Sequence, residues 1–93
     1  MSVIDIFAKA VETFKEREEK YGDTRYPVTK ILRILYPNGI SLSTEQDFLE
    51  FHIFQLVIGK IVRFAYSGDQ DSIHDAGVYS FILEDIVEDK KRG

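Results

Sequence analysis

Residues 43–66 read STEQDFLEFHIFQLVIGKIVRFAY, and this stretch limits what the chain can fold into more than any other. Ser43 and Gln46 have the spacing of a capping box, in which two side chains satisfy the bare N–H groups at a helix start. The apolar residues that follow do not make one stripe. Phe48, Leu49, Phe51, Ile53, Phe54, Leu56, Val57, Ile58, Ile61, Val62 and Phe64 cover most of the helical wheel, leaving a polar line through His52, Gln55, Gly59 and Arg63, with Lys60 beside it. A helix that is apolar nearly all round is expected to be buried nearly all round. Its ~22 residues would span roughly 33 Å, more than short neighbours in one small chain can cover. The expectation is a central helix, partly covered by a second copy of the chain.

The remaining elements follow in order. Ser2 and Asp5 mark a helix start. Ile4, Phe7, Ala8, Val11 and Phe14 then recur at amphipathic spacing, and Glu12 to Lys20 supply a charged outer face. Gly22 is placed to end this helix in a left-handed C′ conformation. Pro27 suits a first helical turn, Val28, Ile31, Leu32 and Leu35 make a short second helix, and Pro37-Asn38-Gly39 stops it. Ile40 and Leu42 are expected to pin the following loop. After the central helix, 67–70 form a tight polar loop, and a last helix starts near Asp71 or Ser72. No useful β alternation is present. The predicted fold is a single all-α domain over residues 1–93: a four-helix antiparallel bundle with two long C-terminal helices, assembled as a homodimer or larger oligomer.

Composition excludes several functions. A net charge of −4 argues against general nucleic-acid binding, which needs basic surface. With no cysteine and two histidines, thiolate sites and His-rich zinc sites are out of reach. The apolar run of 53–58 is too short to span a membrane. Met1 leads straight into an acidic amphipathic segment without a secretory leader, so a cytoplasmic protein is expected.

Antiparallel pairing through a short loop sets a register in which Asp75 lies across from about residue 62 and Tyr79 from about residue 58. Lys60 and Arg63 then face Asp71 and Asp75, which lie one turn apart, with Tyr79 next in line. This cluster reads either as a buried ion-pair network fixing register, or as a pocket where Asp71 and Asp75 hold Mg²⁺ and the cations take phosphate oxygens. Asp47 and Glu50, near Glu84 and Glu88, read as a solvated acidic end. His52 and His74 read as packed or surface side chains.

The run Asp71-Ser72-Ile73-His74-Asp75-Ala76-Gly77-Val78-Tyr79, with Lys20-Tyr21-Gly22-Asp23 and Lys60-Ile61-Val62-Arg63, resembles the MazG-like all-α nucleoside triphosphate pyrophosphohydrolases. It looks closest to their small phage and prophage relatives linked with nucleotide modification. The likeness covers about residues 17–86. It implies an oligomer of antiparallel helices and Mg²⁺-dependent cleavage of a nucleoside triphosphate to monophosphate and pyrophosphate. On this likeness Lys20 joins Lys60, Arg63 and Tyr79 as substrate-binding candidates. The family carries a Glu-x-x-Glu pair on one long helix and a Glu-x-x-Asp pair on the next. Asp75 matches the final Asp, Ser72 stands where its partner would, and Asp71 is one residue off. The first pair corresponds to Asp47 and Glu50, the latter roughly 18 Å along the bundle from Asp75. Three readings stay open: a Mg²⁺-dependent nucleotide hydrolase, a non-catalytic module binding a nucleotide or protein partner, and a structural oligomer.

Overall fold

A computed structural model describes residues 2–93; Met1, read above as the start of a leaderless segment, lies outside them. The described residues form four α-helices and no strand: α1 (Val3–Tyr21), α2 (Arg25–Leu35), α3 (Glu45–Ser67) and α4 (Gln70–Arg92). None is long and apolar enough to cross a membrane.

The helix starts are set by short side chains. Ser2 and Asp5 form the expected reciprocal box on α1. On α3 the cap falls one residue later than Ser43: Thr44 Oγ1 accepts the Asp47 N–H at 3.1 Å, and Asp47 accepts the Thr44 N–H at 3.1 Å and the Ser43 N–H at 3.2 Å. Asp47 takes this role in place of Gln46, whose side chain instead donates to Asp89 on α4. The start of α4 is likewise earlier than Ser72. Asp69 is its N-cap, and the Ser72 hydroxyl donates to Asp69 at 2.9 Å from a buried position against α3. At the end of α1, Gly22 has φ 76 and ψ 175, so it departs into an extended conformation that only glycine adopts easily, not the left-handed one expected. Gly68, at φ 67 and ψ 18, is the residue that ends its helix left-handed.

The close packing is between α3 and α4, which run antiparallel; α1 and α2 touch α3 more lightly. Three contacts fix the register. Lys60 meets Asp75 at 3.0 Å, Gln46 donates to Asp89 at 3.3 Å, and Lys90 meets Asp47 at 2.7 Å. This is the register read from the loop length. It also corrects the acidic end: Asp47 is not solvated among like charges but paired with Lys90, which lies 3.8 Å from Glu50 as well. The Lys90 ammonium, followed by the Thr44 and Ser43 N–H groups, holds the Asp47 carboxyl well below the usual carboxylate range. Under the α2–α3 loop, Tyr36 sets its ring edge-on to Phe51 and Phe54 at 6.1 and 6.4 Å.

The expected burial of the central helix is not met within one chain. On α3 only Ile53 and Ile58 are buried, while Phe48, Leu49, Ile61 and Phe64 are exposed. Ala76 and Ile86 complete the buried apolar set among the described residues, and neither α1 nor α2 buries a residue. The radius of gyration is 16.2 Å, against about 12 Å for a compact domain of this length. The surface area of 7326 Å² exceeds by about 1,800 Å² what a compact protein of this mass presents.

Candidate functional site

The predicted cluster of Lys60, Arg63, Asp71, Asp75 and Tyr79 does not come together as one network. Lys60 and Asp75 pair, but the pair is not buried: the side chains are 21% and 43% exposed. Asp71 lies exposed a turn before Asp75, and Tyr79 is half-buried a turn beyond it. Arg63 turns away from both carboxylates and lies over the Tyr21 ring, its guanidinium carbon 5.1 Å from the ring centre. Lys20 Nζ approaches the same ring at 5.0 Å. Tyr21 therefore gathers two of the candidate cations, one from its own helix and one from α3.

That corner is built at Gly22, where the chain leaves α1 and from which Arg25, at the start of α2, reaches back over Phe14. A Cβ at Gly22 would lie 2.8 Å from the Tyr66 ring, so the missing side chain is what allows α1 to reach α3. Asp23 then accepts the Arg25 N–H at 3.0 Å and grips the Arg25 guanidinium through both oxygens, at 3.0 and 2.7 Å. This contact lowers the Asp23 pKa and raises that of Arg25. The Arg25 guanidinium also lies over Phe14 at 5.2 Å. A shallow cavity of about 140 Å³ opens between Phe14, Arg17, Glu18, Tyr21, Asp23, Arg25 and Arg63. Arg25 is neutralised by Asp23, whereas half-buried Arg63 makes no ion pair among the described residues. A guanidinium held by an aromatic face and without a carboxylate is suited to an incoming oxyanion.

Tyr21, Arg17 and Arg25 were not singled out in the sequence as site residues. Tyr21 lies inside the Lys20-Tyr21-Gly22-Asp23 motif, and Arg17 one turn before it, but nothing local says that α3 returns to that face.

Asp71 and Asp75, the expected Mg²⁺ ligands, lie one turn apart on α4. No three His, Cys, Asp or Glu side chains gather among the described residues. Of the two expected ligands, Asp75 is already bound to Lys60. Asp47 and Glu50 share Lys90 at the other end of the hairpin. His52 and His74 are exposed. A separate apolar pocket of about 180 Å³ lies under the α2–α3 loop, lined by Tyr36, Ile40, Leu42, Phe51, Phe54 and Leu83 among others. Glu50 is its one charged lining residue, so it offers packing space and no chemistry.

No protein-family model, curated protein or solved structure matches the chain.

Proposed function

We propose that this chain is one subunit of a homo-oligomeric helical module, and that the module holds a nucleotide by its phosphates at the corner of Lys20, Tyr21 and Arg63. The observation that carries the oligomer is the core. Among the described residues four apolar side chains, Ile53, Ile58, Ala76 and Ile86, are buried, few for a chain of which 44% is hydrophobic. The hydrophobic effect drives such surface out of water, at about 25 cal/mol per Å². Half-buried Arg63, which makes no ion pair among the described residues although Glu18 and Asp23 line the same cavity, supports a phosphate as the ligand. The likeness to MazG-like proteins supports a nucleotide as its bearer, and such a ligand goes with a cytoplasmic setting. Lys60 would have to leave Asp75 to join in.

Asp71 and Asp75, one turn apart on α4, favour the second reading, Mg²⁺-dependent hydrolysis of a nucleoside triphosphate. That reading needs further oxygen ligands from another copy, so binding is the function put forward. Thermal melting with a nucleoside triphosphate panel, with and without Mg²⁺, tests it. Binding at a hundred times Kd adds about 2.7 kcal/mol of stability, and Arg63→Ala should remove the response. A melt that no nucleotide shifts contradicts the phosphate site; release of pyrophosphate favours hydrolysis over simple binding.

A further inference from the structure

The apolar stripe of α1 is only partly covered in its own chain, and at Ile4 and Phe7 hardly at all. Ile4, Phe7, Val11 and Phe14 are 79%, 71%, 40% and 46% exposed, and the helix buries no residue. Their spacing of three, four and three residues is that of a seam for another helix. We infer that α1 is an arm that lays this stripe on a second copy of the chain, an inference that rests on the oligomeric reading above and names its contact surface.

Two observations choose that occupant. The excess surface of about 1,800 Å² per chain, counted on both copies, falls in the range of obligate homodimers rather than of transient contacts. Such a dimer can bury the open apolar residues of α3 and α4, including Leu49, Ile82 and Phe81, together with α1. The second observation is charge. Along α1, Asp5, Glu12, Glu16, Glu18 and Glu19 alternate with Lys9, Lys15, Arg17 and Lys20. That mixed and slightly acidic face does not suit an anionic lipid surface, which favours helices rich in Lys and Arg. It suits a protein surface of the same mixed character.

The chain has no cysteine, so a single introduced thiol reports on the stripe. Val11→Cys puts it in the stripe and Lys9→Cys on the opposite face. At concentrations where the protein is assembled, the Val11→Cys thiol should react with a maleimide at least ~10-fold more slowly than after dilution, and the Lys9→Cys thiol equally fast at both. Phe7→Glu should weaken association at least ~10-fold while circular dichroism shows unchanged helix, because Phe7 contributes to no core of its own chain. If the protein assembles yet Val11→Cys stays reactive and Phe7→Glu stays assembled, the arm is refuted and the oligomer stands. A monomer at every concentration refutes both. Protection that needs anionic vesicles and not concentration makes α1 a lipid-binding helix and overturns the inference.

Discussion

Lys60 Nζ lies 3.0 Å from Asp75 Oδ2, and this pair ties the middle of α3 to the first turns of α4. Its partial exposure decides its energetic weight. A carboxylate 43% open to water gains modestly from a nearby ammonium, since solvent screens the attraction. Asp75→Asn should therefore cost the subunit roughly 0.2–1 kcal/mol in urea unfolding, not the ~3–5 kcal/mol of a broken buried pair. A loss of the larger size would mean that the assembled protein buries this pair.

Asp47 and Lys90 make the pH-sensitive clasp at the other end of the hairpin. Because the folded Asp47 carboxyl is held below its ordinary value, its contribution is present above an unfolded pKa of about 3.9 and is lost as pH falls from there toward the folded value. Lys90 is raised, first by its hydrogen bond to Asp47, so its contribution is lost as pH climbs through its folded pKa. Asp47→Asn should melt below wild type at pH 7, and the gap should close under acid. A gap that persists unchanged at pH 2 would contradict the clasp.

The cap of α3 separates two adjacent residues. Thr44→Ala should cost about 1 kcal/mol, whereas Ser43→Ala, whose hydroxyl makes a longer 3.3 Å contact to Asp47, should cost less. Equal losses by chemical denaturation would return the cap to Ser43.

Glycine substitutions should have opposite signs at two positions. Gly22→Ala meets both a strained backbone and the Tyr66 ring, and should destabilise by about 1–3 kcal/mol while loosening α1 from α3. Gly59→Ala meets nothing in its own chain and should stabilise the dilute subunit by about 0.5–1 kcal/mol. Denaturation midpoints at low concentration measure both.

What the sequence made legible was local. Apolar spacing located all four helices, and the short loop expected at 67–70, which spans Gly68 and Asp69 in the structure, was enough to set the α3–α4 register that Lys60–Asp75 and Lys90–Asp47 display. Cap positions slipped where two candidates competed. Ser43 with Gln46 and Thr44 with Asp47 both satisfy the spacing, and partners 43 residues on engage both side chains, Asp89 taking Gln46 and Lys90 taking Asp47. Arg63 was misplaced for a related reason. Register puts it opposite Asp71 and Asp75, but Tyr21 reaches it from a helix whose approach to α3 depends on the Gly22 turn and not on periodicity. The all-round apolar character of α3 implied cover that its own chain does not provide.

That missing cover is the centre of the account, and mass against concentration is its most direct measure. Sedimentation equilibrium of the unmodified chain from nanomolar to high micromolar concentration should give a dimer or larger species at micromolar concentration that dissociates on dilution. A 10.8 kDa species that stays monomeric across that range would contradict it.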